Sequence, residues 1–495
     1  MDNRKVRTVT ANSYPRIASF RGARAVATHL ENLGWSLPVQ DEILPAPLSP
    51  LARPLEIGSK GDRRSIGNRF AAQPMEGWDG ECDGRPSDLT RRRWLRMATS
   101  GAKLLWGCEA IAVLPEARAN PNQVLLNPAT AGDLAKLRLE MVEAHRQRFG
   151  TADDLLIGLQ LTHSGRFCRP HDKSKLEPAI VYHHPILDSK YPPAADSEPI
   201  SDTAVGSIVE AFAAAARLAA GVGFDFVDLK SCHGYLGHEF LSAHHRAGRY
   251  GGPWENRNRF LREVIAAVRS SAPGLGIGVR LSAYDTVPFT TDPETGRGVP
   301  VSPSGPYTSG FGVDPEHPVN PELAEARRLV RLLRDEGVSL VNITAGSPYY
   351  SAHLQRPALF PPCDSYAPPE DPLAGAARLL WAARELKAEA CDMIIVSSGW
   401  SYFQDYLPHF AQAVVEAGWC DCVGLGRVML SYPDLPADVL ERARLDRKRI
   451  CRTFSDCTNG PRHGMVSGCY PFDPFYRDRP EGERLRALKQ EWTKR

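Results

Sequence analysis

The sequence predicts an α/β fold, a (β/α)8 TIM barrel with long loops on its C-terminal face, an N-terminal arm and a C-terminal tail. Short β-branched or apolar runs occur eight times, and helical patterns separate them. The runs are Arg69–Gln73, Leu104–Val113, Leu155–Leu161, Asp225–Leu229, Ile277–Leu281, Ser339–Ile343, Met393–Val396 and Cys422–Leu425. Eight β–α units in sequence favour a closed parallel barrel over an open sheet.

The segments between the runs support this prediction. Apolar residues recur every three or four positions in stretches typical of amphipathic helices, namely Ala131–Arg148, Thr203–Ala220, Trp254–Ser271, Pro321–Asp335 and Phe403–Ala417. Long segments rich in Pro, Gly, Ser, Tyr and His follow the third, fifth and sixth runs, namely His163–Ser201, Ser282–Val319 and Ala345–Pro372. In a barrel these are all strand-to-helix loops, so they share the C-terminal face where barrel enzymes place their chemistry.

Two segments flank the predicted barrel of residues 49–435. Residues 1–48 form an N-terminal extension in which a helix at Arg24–Leu33 precedes a Pro-rich stretch. Residues 436–495 form a tail that carries three cysteines and ends in charged residues of helical character. We expect the extension to lie against the barrel as an arm.

Composition excludes several classes of protein. The chain has 42% apolar and 24% charged residues and a formal charge of +2, so the electrostatic footprint of a nucleic-acid binder is missing. The basic run Arg91–Arg93 is interpreted as a solvated helix face. The sequence has neither the apolar core of a signal peptide nor the ~18 uninterrupted apolar residues that span a bilayer. Eleven cysteines without framework spacing fit reduced thiols, so we expect a cytoplasmic protein without a membrane or nucleic-acid partner.

A phosphate site is predicted after the last two strands. The seventh run is followed by Gly399 and Trp400, and the eighth by Gly426 and Arg427. Glycine-lined helix N-termini at these two positions form the standard phosphate site of barrels. Gln160 and Arg280, from the third and fifth runs, could offer an amide and a fixed positive charge to a polar ring system. An isoalloxazine needs such a charge, because its reduced form is negative near N1 and O2. Taken alone, Arg280 is better explained by an ion pair at the barrel rim, but together with the two glycine-containing strand ends it favours a flavin.

The fourth run ends in three polar side chains. Lys230, His233 and Tyr235 can supply two hydrogen-bond donors for a substrate oxygen and one phenol as a proton source. A single His or Tyr here would be read as a packing residue, but the three together favour a catalytic site.

Eight sequence motifs resemble those of a known family, the FMN-dependent old yellow enzymes, also called NADH:flavin oxidoreductases. The resemblance extends from about Ser49 to Leu435 and includes SPLARPLEIGS, NRFAAQPM, GLQLTHSGR, HGYLGHEFLS, GRYGGPWENRNRF, GVRLS, SSGW and GLGR. GRYGGPWENRNRF is the most distinctive of these motifs, and its expected role is structural. The barrel of 2,4-dienoyl-CoA reductase and trimethylamine dehydrogenase-type enzymes is related.

The resemblance implies a role for each matching position. Gln160 and Arg280 would contact the flavin ring of FMN, and Pro74 and Met75 would lie along it. Gly399, Trp400, Gly426 and Arg427 would surround the phosphate. His233 matches the second substrate-anchoring position and Tyr235 the proton-donating tyrosine. The implied reaction is the reduction of FMN by NADH or NADPH, followed by hydride transfer from flavin N5 to an activated alkene, as in an ene-reductase.

Two residues depart from the family pattern. Lys230 stands where most relatives have His, and a protonated lysine would favour a carboxylate or a strongly developed oxyanion over a neutral enone. The hypothesis drawn from Lys230 is a small-molecule substrate that carries a negative charge. Glu76 stands where many relatives have Thr or Cys, and an ionised Glu cannot donate a hydrogen bond to flavin O4.

The tail departs from that of larger relatives that hold an iron–sulfur cluster. Those relatives carry four cysteines after the barrel, whereas this chain has Cys451, Cys457 and Cys469, with Phe454 at a ligand position. A cubane cluster ordinarily needs four thiolates, so neither an iron–sulfur cluster nor any other metal site is expected.

Three alternatives stay open at this stage. The enzyme could oxidise its substrate, as amine dehydrogenases and demethylases of the superfamily do. A cofactor-free barrel could use Lys230 to form a Schiff base, or a barrel could bind FMN without turnover. A homo-oligomer is possible.

Overall fold

A computed structural model describes residues 14–58, 63–390 and 392–494. Eight parallel strand positions close into a barrel, which confirms the predicted fold. They are β1 Phe70–Ala72, β2 in two pieces at Leu104–Leu105 and Ala110–Ala112, β3 Leu156–Thr162, β4 Phe226–Ser231, β5 Gly276–Ser282, β6 Leu340–Thr344, β7 Ile394–Ser397 and β8 Cys422–Leu425. Closure occurs where β8 pairs with β1, with Val423 opposite Phe70, and where β2 pairs with β3, with Leu104 opposite Leu156.

The barrel strands are apolar on both sides because helices cover the outside and side chains fill the inside. The lower half of the interior is packed around Trp106 and Phe226, whose rings meet edge to face at 5.3 Å. A hairpin of Leu55–Ile57 and Arg64–Ile66 lies under these residues, and Leu55 and Ile57 pack against them. The lower half of the barrel interior is therefore a packed core.

The second strand differs from its prediction as one continuous run. It is interrupted at Gly107 and Cys108, both of which have positive φ angles, +111° and +51°. A Cβ on Gly107 would lie 2.5 Å from the Gln160 backbone nitrogen, so only glycine fits there. The break turns Glu109 outward, where it accepts hydrogen bonds from the Gly77 N–H at 2.6 Å and the Trp94 indole at 3.0 Å.

Helices surround the barrel near the predicted places, but the stretch predicted as Trp254–Ser271 is two helices and the one predicted from Pro321 begins at Ala324. The described helices are Ala23–Asn32, Asp88–Ala98, Ala131–Phe149, Leu187–Lys190, Asp202–Gly221, Leu236–Leu241, Trp254–Arg257, Arg259–Ser271, Ala324–Asp335, Ala352–Gln355, Pro372–Glu389, Leu407–Glu416, Val428–Ser431, Leu435–Arg442, Asp456–Arg462, Pro474–Arg477 and Pro480–Lys494. The helix predicted from Phe403 begins only at Leu407, because a 3-10 segment, Trp400–Tyr406, precedes it and Gln404 has a φ of +48°.

The basic run Arg91–Arg93 is not the uniformly solvated face that was predicted. Arg91 is exposed, but Arg93 is 4% exposed and forms ion pairs with Asp79 and Glu109. These carboxylates lie outside the helix that carries the run, so the helical pattern alone could not reveal the pairing.

One helix, Asp202–Gly221, is long and apolar enough to cross a membrane by length and composition, with a mean hydropathy of 1.4. Glu210 and Arg217 interrupt its sequence. Its apolar side packs in the barrel layer beside Arg259–Ser271, as Phe212 does on Phe260 with ring centroids 6.1 Å apart. The helix thus serves as a packing element of the barrel.

The flanking segments lie against the barrel. In the arm, the Gln40 N–H donates to the His409 carbonyl at 3.1 Å and the Ala46 N–H donates to the Leu440 carbonyl at 2.7 Å. Residues 1–13, which include most of the stretch examined for a signal peptide, lie outside the described residues. The tail crosses to the open end of the barrel, where the helix Asp456–Arg462 approaches the loops after β6.

The barrel core makes a testable prediction. A Cβ at Gly158 would fall 2.2 Å from the Phe226 ring, so Gly158→Ala should overpack the core and lower the free energy of unfolding by about 1–3 kcal/mol. Gly206→Ala is the matched control, because nothing lies within 4 Å of its Cβ position in a helix, and it should stabilise by roughly 0.5–1 kcal/mol. Urea unfolding followed by circular dichroism measures both, and equal midpoints would contradict the packing described.

Candidate functional site

One cavity at the C-terminal end of the barrel brings together every residue that the sequence analysis placed in the site. Its empty volume is about 1280 Å³, including the open mouth. The predicted residues that line it are Pro74, Met75, Gln160, Lys230, His233, Tyr235, Arg280, Gly399, Trp400, Gly426 and Arg427. They converge because the carboxyl ends of parallel strands meet at one end of a barrel.

Arg280 lies at the base of the cavity. It is 5% exposed, and its Nη2 donates to Gln73 Oε1 at 2.6 Å. Its Nε is buried and has no hydrogen-bond partner among the described residues. With the residues that the structure describes, Arg280 therefore does not form the ion pair at the barrel rim that was its alternative explanation.

A buried carboxylate connects the strands beside Arg280. Asp228 accepts a hydrogen bond from Gln160 Nε2 at 2.5 Å and another from the Arg280 backbone N–H at 2.6 Å. Burial raises the pKa of Asp228 to about 6, while the Gln160 hydrogen bond and the Arg280 charge oppose that rise. Gln160 and Arg280 are thus positioned from below by one residue of β4.

Gln73 is a site residue that sequence reasoning missed. Its amide donates to Ser398 Oγ at 2.8 Å and to Asn342 Oδ1 at 3.2 Å, and its carbonyl accepts from Arg280. A Cβ on Gly424 would lie 2.1 Å from the Gln73 amide nitrogen. Gln73 stands at the carboxyl end of the first predicted strand, and this position could have identified it as a site residue.

The ends of β7 and β8 form a second region of the cavity. Gly399 has a φ of +98°, which a residue with a side chain rarely adopts. Met75 lies against Gly426, with its sulfur 3.5 Å from the Cβ position of that glycine. Arg427 Nη2 donates to the Pro357 carbonyl at 2.8 Å, while its Nη1 is buried without a partner in the described part of the chain.

Trp400 contributes to this region differently from the expectation. Its indole is fully buried in the hydrophobic core and donates to Ser397 Oγ at 2.9 Å. The ring is therefore held by this contact, while Trp400 as a residue lines the cavity.

Lys230 and Glu76 form an ion pair within the cavity. Lys230 Nζ contacts Glu76 Oε1, and their side chains are 2% and 19% exposed. Lys230 Nζ also lies 4.0 Å from the centroid of the Tyr235 ring. The positive charge that was expected to face an anionic substrate is therefore already balanced by a carboxylate of the protein.

Tyr235 has two hydroxyl contacts. Its OH lies 3.0 Å from Tyr349 OH and 3.3 Å from Glu76 Oε2. Burial raises the pKa of the Tyr235 phenol well above its usual value, and the negative charge of Glu76 adds to the rise. The phenol thus stays protonated at neutral pH. Tyr349 is held in place by stacking on Phe167 at a centroid distance of 3.8 Å.

His233 is buried next to this group. Its backbone φ is +66°, and its N–H donates to Ser282 Oγ at 3.1 Å. Burial lowers the pKa of His233 well below its usual value, and the nearby charges of Arg280 and Lys230 lower it further. The imidazole is therefore neutral at pH 7 and has one N–H to donate.

The C-terminal tail forms one wall of the cavity, which the sequence analysis did not predict. The tail residues that line it are Cys457, Thr458, Pro461, Arg462 and Ser467. They face Gln355 and Arg356 from the loop after β6, and Arg356 Nη1 donates to Thr458 Oγ1 at 2.5 Å. Sequence patterns do not show this contact, since it joins segments about a hundred residues apart.

The tail cysteines lie near this wall. Among the residues that the structure describes, no group of three or more His, Cys, Asp or Glu side chains could hold a metal ion. Phe454, at the position of a cluster ligand in larger relatives, packs against Phe360 at 5.2 Å and Phe472 at 6.0 Å between ring centroids. The absence of an iron–sulfur cluster stays a prediction.

The cavity has the chemistry that FMN requires. Two nitrogens of cationic side chains are buried in it, Arg280 Nε at the base and Arg427 Nη1 at the ends of β7 and β8. Neither has a hydrogen-bond partner among the described residues. A buried donor without a partner is costly, and a flavin ring with a phosphate at its far end would supply an acceptor to both. The residues present therefore fit the group.

Comparisons with known proteins identify the relatives. The model of the NADH:flavin oxidoreductase / NADH oxidase family matches residues 50–294. An NADPH dehydrogenase of Bacillus velezensis is 34% identical over 228 residues, which are 45% of this chain and 61% of the relative. An NADPH dehydrogenase of Bacillus pumilus is 30% identical over 290 residues, which are 57% of this chain and 70% of the relative. The chain thus spans about three fifths of the first relative.

Solved structures with the same fold are more distant in sequence. A 2-naphthoyl-CoA reductase in complex with 2-naphthoyl-CoA has a TM-score of 0.64 at 18% identity and covers 86% of this chain and 57% of its own. Histamine dehydrogenase from a Rhizobium species has a TM-score of 0.61 at 19% sequence identity, and the match covers 86% of this chain and 53% of the dehydrogenase. The old yellow enzyme homologue from Zymomonas mobilis has a TM-score of 0.54 at 20% sequence identity, and the match covers 80% of this chain and 93% of the homologue.

The sequence motifs, the closed barrel and the matched relatives agree with one another. The chain belongs to the NADH:flavin oxidoreductase / NADH oxidase family, the family of the old yellow enzymes.

Proposed function

We propose that the chain is an FMN-dependent enzyme that uses NADH or NADPH to reduce an activated C=C bond. The observation that carries the proposal is the convergence, in one cavity, of two donors, a protonated phenol and two cationic regions. When bound, FMN would supply the hydride chemistry. The residues that would hold it are Pro74, Met75, Gln160, Arg280, Gly399, Gly426, Arg427 and the backbone of Trp400.

Lys230 and His233 would bind the substrate oxygen. A lysine ammonium has three donors, and Glu76 engages Lys230 while leaving donors for a ligand. The neutral His233 imidazole adds one N–H beside it. Two donors aimed at one carbonyl oxygen polarise the alkene and stabilise the enolate charge that develops on that oxygen.

Tyr235 would provide the proton. Its pKa is raised by burial and by Glu76, so the phenol holds its proton until a more basic carbon atom develops next to it. Tyr349 lies 3.0 Å from the same hydroxyl and can pass a proton to it after each turnover. Glu76 thus both pairs with Lys230 and keeps Tyr235 protonated.

Oxidation of an amine is the second candidate, because the histamine dehydrogenase fold is similar. A substrate ammonium would need a carboxylate or an aromatic face in the cavity. Lys230 already pairs with Glu76 and lies over the Tyr235 ring. These contacts favour the reductive reaction.

The Schiff-base alternative is disfavoured by the same pair. A lysine nucleophile is activated by desolvation or by a neighbouring cation, whereas Lys230 contacts an anion. A carrier that binds FMN without turnover would have no use for Tyr235 beside two oxygen-binding donors.

The proposal is tested on the purified protein. Its absorption spectrum and the cofactor released by heat should identify FMN, and NADPH with an enone should give turnover. Amines with an artificial electron acceptor should give none. A colourless protein that cannot be reconstituted with FMN, or turnover with amines alone, would overturn the proposal.

A substitution at Tyr235 tests the proton donor. Tyr235→Phe should slow the reaction of the reduced enzyme with an enone by about 100-fold or more, because a general acid contributes roughly 10²–10⁴. Reduction by NADPH should change far less, since it needs no proton from the phenol. Stopped-flow absorbance measures the two half-reactions separately.

Tyr182→Phe is the matched control, because Tyr182 is a buried tyrosine whose OH donates to the Ser309 carbonyl at 3.0 Å and which does not line the cavity. If both variants slow the enone reaction equally, the phenol of Tyr235 is not the donor.

The pH profile tests the role of Glu76. Because Glu76 raises the pKa of Tyr235, Glu76→Gln should lower that pKa, and the phenol should then ionise at lower pH. The alkaline limb of the enone reaction should move to lower pH, while Glu81→Gln, at an exposed position, should leave it in place. The measurement is the rate of the enone reaction from pH 6 to about 10.5: the wild-type rate should not fall in this range, because its phenol pKa lies well above the usual value, whereas the rate of Glu76→Gln should begin to fall. Identical profiles would contradict this role.

A further inference from the structure

Three arginines form a continuous basic wall of the cavity. Arg427 follows β8, Arg356 follows the helix Ala352–Gln355, and Arg462 ends the tail helix Asp456–Arg462. The charge of Arg356 lowers the pKa of both other arginines, so it lies within electrostatic reach of each. Including Lys230 and Arg280, five cationic side chains line the cavity against one carboxylate, Glu76.

The wall is not neutralised by the described residues. Arg427 and Arg356 donate to neutral oxygens, the Pro357 carbonyl and the Thr458 hydroxyl. Arg356 Nε and Arg427 Nη1 are buried without a partner among the described residues. Arg462 contacts Asp364, but that carboxylate is 57% exposed, and exposed pairs contribute little.

Holding like charges together under partial burial is unfavourable. Burial and the charge of Arg356 lower the pKa of Arg427 and of Arg462 to about 10, so both stay charged at neutral pH. Such an arrangement is stabilised when an anion binds. The phosphate of FMN would account for Arg427 but not for the length of the wall.

Arg462 extends the wall away from the phosphate region. Its charge acts on Tyr349 and Tyr191, and Tyr349 contacts the proposed proton donor Tyr235. Arg356 acts electrostatically on both Arg427 and Arg462. The three arginines line the same cavity as Tyr349 and Tyr235, so the wall shares one space with the proposed phosphate grip and the phenol group where a substrate would react.

We propose that Arg356 and Arg462 form an anion subsite, separate from the FMN phosphate grip, that binds the phosphate or carboxylate of a molecule reacting at the flavin. The inference rests on the proposed function and specifies its substrate class. The anion belongs either to an alkene substrate with a distal acidic group or to the nicotinamide dinucleotide, which reacts in the same cavity. The tail, through Arg462 and Thr458, is then a specificity-determining segment.

The test compares matched ligands in each half-reaction. The alkenes are methyl 4-carboxycinnamate and its 4-methyl ester, which differ in one distal charge. The reductants are NADPH and 1-benzyl-1,4-dihydronicotinamide, which lacks phosphates. Arg462→Gln should lower the ratio of kcat/KM for the charged over the uncharged partner by about 10-fold or more in one arm, because a hydrogen bond to a charged group contributes roughly 1.5–3 kcal/mol. The arm that responds identifies the source of the anion.

Binding supplies a readout that does not depend on turnover. Inorganic pyrophosphate should raise the melting temperature of the FMN-loaded protein and lose that effect in Arg462→Gln, and Arg462→Lys should restore part of it. Arg477→Gln is the matched control, because Arg477 is a tail arginine that is 49% exposed and pairs with Asp478. Arg356→Gln should behave as Arg462→Gln does.

Several outcomes would overturn the inference. One is an equal change for charged and uncharged partners in both arms, and another is loss of FMN from Arg462→Gln, which would assign this arginine to the cofactor. If the wild-type protein binds FMN and reduces the neutral alkene while the ratios stay constant, the anion subsite fails and the proposed function stands. A wild-type protein without FMN would instead refute the proposed function.

Discussion

The carboxylate of Asp228 connects three neighbouring strands where the packed barrel interior ends and the cavity begins. It accepts the Gln160 amide from β3 and the Arg280 backbone N–H from β5. A buried carboxylate is tolerated only when its oxygens are hydrogen-bonded, so the position of each partner is determined. Gln73 then receives the Arg280 guanidinium from the opposite side. The proposed ring-binding residues thus depend on one residue that would not touch the ligand.

Charge balance separates the cavity into two parts. Near Tyr235, Lys230 and Glu76 offset each other, so the proposed reacting centre combines strong hydrogen-bond donors with little net charge. Along the tail wall the arginines have only the exposed Asp364 as an acidic partner in the described part of the chain. An expectation from sequence, that Lys230 would select an anionic substrate, is therefore better transferred to Arg356 and Arg462. The distinction follows from Glu76, whose contact with Lys230 spans 154 positions.

Much of the fold could be predicted because periodicity is a local property. Each barrel strand is a short run buried on both faces, and its period and length are visible in the sequence. The break in β2 could not be predicted in this way, because it depends on the approach of Gly107 to the Gln160 backbone. The burial of Arg93 could not either, since its acidic partners lie in loops.

The site was predictable to the same extent. Residues at strand ends, such as Arg280 and Tyr235, were found because the barrel brings all strand ends to one place. Trp400 lines the cavity as predicted, but its indole is buried in the core and donates to Ser397 Oγ, a contact that its position in the sequence does not reveal. The tail wall was missed because no local pattern relates Arg462 to Arg356.

Packing at both ends holds the tail segment that borders the cavity. Phe454 packs between two aromatic rings, and this packing helps hold the segment that leads into the helix Asp456–Arg462. Lys489 from the final helix binds Asp456 at 2.9 Å and so fixes the start of the same helix. The helix is thereby held over the cavity with Thr458 and Arg462 on the lining side. A segment fixed by packing at both ends can present a charged side chain at a defined place, which selective binding of an anion requires.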